Sequence, residues 1–326
     1  MAGQAKGCAL IRTRTGRLLV AFCSLVTGEL KVRRYTGEQD DTTESDTLID
    51  TAATGKYILT PDFAVSREGH VFLSYYRGGI TVAPSQAFLY RSEDDGETWQ
   101  NIPVTGGAFS SVGPGFDVGN PLAFDISRKT GVFAWVENSH VQVGLMNATL
   151  DGIELGATRQ QIYTSSLNTP PASGQVDLRA LPDGRWIAFS GPGGGASVVW
   201  ECENLQPTGA STWSETKTIA ASLGTGKWVY DERTGRGIAA IYYGGGVAAS
   251  SWSTRVMERN AAGTGWTYPT SGSGSAVGQI TNVGDVEAGD LIIRKDGTLE
   301  FACTSNDLPL IRRCRALDMS GPGTWA

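Results

Sequence analysis

The chain is poor in the residues that most catalytic and metal chemistry uses. It has two histidines, His70 and His140, far apart in sequence, so a Ser-His-Asp triad or a His-rich metal site has little material to draw on. Its five cysteines include no CxxC pair, so no zinc site and no other metal is expected. Charged residues are only 18% of 326 and the formal net charge is −6, which argues against a nucleic-acid partner or an anionic membrane surface, because both want a basic face. No run approaches the ~20 apolar residues of a bilayer span. The start, MAGQAKGCALIRTRTG, has no apolar signal core, so the expectation is a chain made in the cytoplasm with no signal peptide. Helical periodicity is missing too, and GPGGG at Gly191–Gly195 is followed by no helix, so it is not a phosphate loop and no cofactor is implied.

An odd number of cysteines without a signal peptide reads as reduced, buried thiols. Cys8 and Cys23 stand equally far from the Thr15-Gly16 turn. They are expected to face each other across a hairpin, with a disulfide as the alternative state.

Glycine and tryptophan are plentiful, at 43 and 9. They mark an internal repeat. Six segments share an apolar strand, a short polar turn holding Gly, and a second apolar strand: ALIRTRTGRLLVAF, DFAVSREGHVFLSYY, LAFDISRKTGVFAWV, DLRALPDGRWIAFS, KWVYDERTGRGIAAIYY and DLIIRKDGTLEFAC. Their turn glycines, Gly16, Gly69, Gly131, Gly184, Gly235 and Gly297, are 53, 62, 53, 51 and 62 residues apart. Gly is expected there because tight hairpins need positive φ. A second strand pair follows, with Trp99, Trp213, Trp266 and Trp325 each shortly after a Gly.

The repeat predicts an all-β chain: a six-bladed β-propeller of four-stranded antiparallel blades. It is read as one domain over 1–326, with blades at roughly 1–58, 59–114, 115–172, 173–222, 223–283 and 284–326. The competing architecture is a pair of β-sandwiches. The sixth unit stops where its outermost strand should begin. Either the last blade has three strands or side-chain packing closes the ring.

SEDDGETW, Ser92–Trp99, matches the Asp-box S-x-D-x-G-x-x-W. On these residues the chain resembles the sialidase-like (BNR) propellers. In the box, Ser92 and Asp94 are expected to bond backbone inside the turn, Gly96 to supply its φ, and Thr98 and Trp99 to complete it. The resemblance implies a folding device, on the face opposite the family's catalytic pocket. It also implies what a sialidase would need: an arginine triad, a Tyr/Glu nucleophile pair and an Asp acid. The family's Phe/Tyr-Arg-Ile-Pro motif is absent; Gln4-Ala5-Lys6-Gly7 stands in its place.

On the face that would carry a site, Arg77 is the one arginine in the loops joining second to third strands. Asp62, Arg77 and Tyr243 are the catalytic candidates, and Tyr76, Arg77, Tyr243, Trp252 and Asp307 the ligand-binding ones, since aromatics beside Gly-rich loops can stack on sugar rings. Against this, Asp62, Asp177 and Asp290 recur at equivalent places at the starts of inner strands. Recurrence points to a structural role. Arg179 lies in an inner strand and is placed to point into the channel.

Three functions are open. The preferred one is a non-catalytic structural or binding component of a larger assembly, with protein partners that include further copies of itself; phage-tail propellers are the analogy, and the virion the implied location. The alternatives are a carbohydrate-binding propeller and a sialidase-type glycoside hydrolase.

Overall fold

The structure is a computed structural model. It describes residues 4–24, 26–36, 42–79, 85–105, 108–109, 122–127, 130–137, 140–144, 147–150, 153–154, 159–161, 175–181, 185–191, 197–202, 214–219, 226–231, 236–243, 251–259, 266–267, 278–280, 289–294, 296–305 and 308–315. Among these every regular element is a strand.

Each repeat folds as one antiparallel sheet, a propeller blade. Blade one is Cys8–Arg12, Leu18–Cys23, Glu29–Thr36 and Thr42–Thr51, in that spatial order. Its second strand, LLVAFC, is buried at all six positions, because neighbouring blades cover both of its faces. The third, ELKVRRYT, largely alternates half-buried and buried residues, as a strand nearer the rim does. The inner strands of the other blades are Lys56–Val65, Leu122–Ser127, Gln175–Ala180, Gly226–Asp231 and Gly289–Ile293. Short extra strands add to blades two, three and five. Blade six has three strands among the described residues, ending with Leu308–Arg315.

The six inner strands form a circuit. Each packs against the next, and Gly289–Ile293 packs back onto Cys8–Arg12. No ladder joins blades six and one among the described residues. Side chains close the ring instead. Leu10 N–H donates to Asp290 Oδ2 at 3.0 Å. Arg12 Nε and Nη2 donate to the two carboxylate oxygens of Glu300, both at 2.8 Å. Cys8, Leu10, Val20 and Phe22 pack with Ile292 and Ile311. The chain's first strand, Gln4–Lys6, is spent elsewhere, running parallel to the inner strand of blade two.

Two expectations need correction. Cys8 and Cys23 are buried and outside any disulfide, as their reading as reduced thiols expects, but they do not face each other. In the hairpin Cys8 stands opposite Phe22, so the register is one residue away from the facing pair. Such a slip turns side chains to opposite faces of the sheet: Cys8 packs toward blade six and Cys23 toward blade two. Burial also pushes the Cys23 thiol well up from its ordinary value. The second correction concerns Gly131. Gly16, Gly69 and Gly297 occupy the left-handed region as expected, with φ of 91°, 97° and 91°. Gly131 instead pairs with Ile126 within the second strand of blade three. The ladder of that hairpin continues to Ser127 and Thr130, so the glycine lies inside the strand pair.

The Ser92–Trp99 turn is held by its own side chains. Ser92 Oγ accepts from Gly96 N–H at 2.8 Å and donates to Asp94 Oδ1 at 2.8 Å. Asp94 also accepts from Thr98 N–H at 2.9 Å and Thr98 Oγ1 at 2.6 Å. Trp99 Nε1 donates to Gly96 O at 3.2 Å, and its ring packs near Phe63. The turn also grips blade one: Thr15 Oγ1 donates to Asp95 Oδ2 at 2.6 Å, and Arg34 Nη2 donates to Glu97 at 2.8 Å. Gly96 has φ of 85°, and a methyl there would stand 2.9 Å from both δ carbons of Leu19. Gly96→Ala therefore forces a strained φ and a contact with blade one. The expected loss is roughly 2 kcal/mol of stability, read as a lower midpoint in thermal or urea unfolding.

Candidate functional site

Inner strands of adjacent blades splay apart around the axis and do not share a ladder. Backbone N–H groups between them need other acceptors, because a buried orphan donor is costly. Four aspartates supply them. Asp62 Oδ1 accepts from Phe63 N–H at 3.1 Å and Oδ2 from Phe124 N–H, in blade three, at 3.2 Å. Asp125 accepts from Ile126 N–H at 2.7 Å and from Ala180 N–H, in blade four, at 2.7 Å. Asp290 accepts from Leu291 N–H at 2.8 Å and from Leu10 N–H in blade one. Asp177 accepts from Leu178 N–H at 3.0 Å. A bulge helps to place Asp62: Pro61 has no N–H, the ladder slips between Leu59 and Asp62, and Asp62 resumes pairing opposite Ser74.

Three of these carboxylates converge on one cation. The Arg179 guanidinium lies 3.6 Å from Asp62, 3.4 Å from Asp177 and 3.5 Å from Asp290, and donates to Leu178 O at 3.1 Å. Burial alone pulls its proton affinity down, but the charges of Asp177, Asp62, Asp290 and Asp125 outweigh that and hold it above the ordinary arginine value. Asp125 moves the other way from most paired carboxylates. Burial pushes it up to about 6, against the opposing pull of Arg179 and the N–H groups of Ala180 and Ile126.

Beside Asp125 and Arg179 lies a cavity of about 240 Å³. Its apolar wall comes from four other inner strands and includes Ile11, Phe63, Val65, Val229, Leu291 and Ile293. Arg12, Val65 and Ile293 are the last residues of their strands, so the cavity occupies the half of the axis next to the first hairpin turns.

Of the residues nominated from sequence, those whose side chains are described do not line this cavity. Asp62 is fully buried and bonded to backbone. Tyr76 is buried in the core between blades two and three, stacked on Tyr57 at 6.2 Å. Arg77 is tied to Asp50 Oδ2 at 2.9 Å and lies over the Phe88 ring at 4.1 Å. Asp50 also accepts from Tyr75 OH at 2.6 Å. Tyr243 and Trp252 lie on paired strands, Tyr243 opposite Ser251 and Trp252 opposite Tyr242, and their side chains lie outside the described residues. Asp307 lies outside them altogether. Asp125 escaped the sequence reading. Its signal was the FDIS of the third repeat, hidden because alignment on Gly131 placed Phe124 where three other repeats have Asp.

No family model matches the sequence, and no curated protein is similar to it in sequence. Solved structures do share its shape. The α-L-arabinofuranosidase Arb93A of Fusarium graminearum superposes with a TM-score of 0.57 at 11% identity, covering 97% of this chain and 94% of that one. The leech intramolecular trans-sialidase gives 0.60 at 8% identity, covering 96% and 68%. AofleA from Arthrobotrys oligospora gives 0.60 at 12% identity, covering 98% and 84%. The chain has a sialidase-like propeller fold. At these identities the likeness is one of fold.

Two measurements check the axial chemistry. Asp290→Ala orphans the N–H groups of Leu10 and Leu291 at the joint between blades six and one, and is expected to cost about 3 kcal/mol in chemical unfolding. Asp125 contributes in the opposite sense to a salt-bridged carboxylate. Its folded value lies above its ordinary one of 3.8, so the folded state binds the proton more tightly, and stability is gained as pH falls through about 6 toward 4. Relative to Asp125→Asn, the native chain is expected to gain on the order of 2 kcal/mol between pH 7.5 and 4.5. A stability difference that does not change with pH would refute that assignment.

Proposed function

We propose that the chain is a non-catalytic propeller that serves as a binding component of a larger assembly, of which a phage tail is one setting. The observation that supports this is the commitment to the fold of those nominated groups whose side chains are described. Asp62 is occupied by two backbone N–H groups, and Arg77 by Asp50 and Phe88. The one tyrosine–acid couple described near Arg77, Tyr75 with Asp50, is unsuited to attack. Tyr75 is fully buried, and burial followed by the Asp50 carboxylate pushes its phenol far above its ordinary value, whereas a nucleophile needs its proton loosened.

A second reading has a specific observation behind it. Structures of similar shape include an arabinofuranosidase and an intramolecular trans-sialidase, which supports a glycan as the ligand class and a sialidase-like glycoside hydrolase as the alternative activity.

Light scattering across a concentration series, with fluorogenic sialoside and arabinofuranoside assays on the same samples, separates the two. The expected result is a mass of several copies with no turnover. A 34.5 kDa species at every concentration would remove the self-assembly reading. Turnover abolished by Arg77→Ala would overturn the non-catalytic one.

A further inference from the structure

The two faces of blade one are covered unequally. Toward blade two the cover reaches the outermost strand, where Ile49 packs in one cluster with Phe88 and Tyr90 of blade two's third strand. Toward blade six, Phe22 and Tyr35 pack with Ile292 and Ile311. Further out, the register places Leu48 opposite Lys31, and Lys31 opposite Phe22, so Leu48 belongs to the blade-six face. Leu48 is 54% exposed. Its counterpart on blade two, Asn101 opposite Tyr90, is exposed and polar, as that position suits. Lys31 and Arg33, half-buried on the same face, are matched inside blade one by Glu29 and Asp46.

The cover that blade one gives blade two through its fourth strand would come, at the joint between blades six and one, from an outer neighbour of Leu308–Arg315. That strand is the last of blade six among the described residues. Its sequence, LPLIRRCR, holds three arginines and no acid. Pro309 has no N–H to give and suits an edge, which places further pairing along Leu310–Arg315. We propose that this edge takes up a β-strand from a partner protein: an extended acidic segment that pairs with Leu310–Arg315 and lays an apolar side chain over Leu48. Main-chain bonds give such strand addition its affinity and alternate side chains its selectivity. The same edge of a second copy would set arginine against arginine. The acids of the other open edge, Thr42–Thr51, are already engaged, Asp46 by Arg33 and Asp50 by Tyr75 and Arg77. An acidic partner therefore fits better than a second copy. Residues 316–326 of the chain itself are the competing occupant. The inference rests on the reading of the chain as a binding component and names the chemistry of its partner.

Isothermal titration of the full chain with a short capped peptide alternating glutamate with valine tests the proposal. One-to-one binding is expected, weakening as salt is raised, because exposed charges are screened. The same peptide with lysine for glutamate, or with a central proline that breaks main-chain pairing, is expected to bind at least about tenfold more weakly. Leu48→Lys, at an exposed position, is expected to weaken binding about fivefold with an unchanged melting temperature, and Arg312→Glu to weaken it similarly. Absence of binding heat, equal affinity for the lysine or proline peptide, or full binding by the folded Leu48→Lys variant would each overturn the proposal. A mass of several copies in light scattering, with no peptide binding, removes this edge site and leaves the assembly reading standing.

Discussion

The fold depends on how its innermost backbone is satisfied. A propeller brings six strands to one axis without letting them pair with one another. The donors between them are met by aspartates, each carboxylate bonding its own strand and, for Asp62, Asp125 and Asp290, the next. That solution has an electrostatic cost. Carboxylates close to the axis repel each other, and Arg179 is the cation that makes their convergence tolerable. The hub is structural first.

The same hub shows how the fold uses residues nominated on the opposite face. Residues at the start of inner strands sit where blades press together. Asp62 is drawn into the backbone network there, and Tyr76 into the packing between blades two and three. Arg77 escapes full burial, but its guanidinium clamps blade two to the outer strand of blade one through Asp50. Side chains that look available in a loop-flanking sequence are the ones that hold neighbouring blades in place.

Much of this was legible before the structure. Alternating apolar segments about a polar turn gave six hairpins, SEDDGETW announced a self-bonded turn, and the recurrence of Asp62, Asp177 and Asp290 pointed to shared duty. What was not legible turns on single-residue offsets. In blade three the ladder runs on to Ser127 and Thr130, which puts Gly131 inside a strand and so conceals Asp125. A one-residue register difference sends Cys8 and Cys23 to opposite faces. The cavity could not be read at all, because its wall joins residues as distant as Leu10 and Ile293. No local pattern records that meeting.

The joint between blades six and one has a kinetic meaning. Its bonds link residues 280 and 288 positions apart, Leu10 to Asp290 and Arg12 to Glu300, while each hairpin closes over a handful of residues. Bringing ends together over so long a loop costs about 5 kcal/mol of chain entropy by the logarithmic rule. Among the described residues no ladder grows across this joint to recover that entropy stepwise. Local hairpin contacts cost little loop entropy and the closing contacts cost much, so the hairpins are expected to form before the circle closes. Until then the axial carboxylates face water and repel only weakly. Closure is therefore also the moment at which their charge is desolvated, so the folding rate of this propeller responds to salt and pH through its final step.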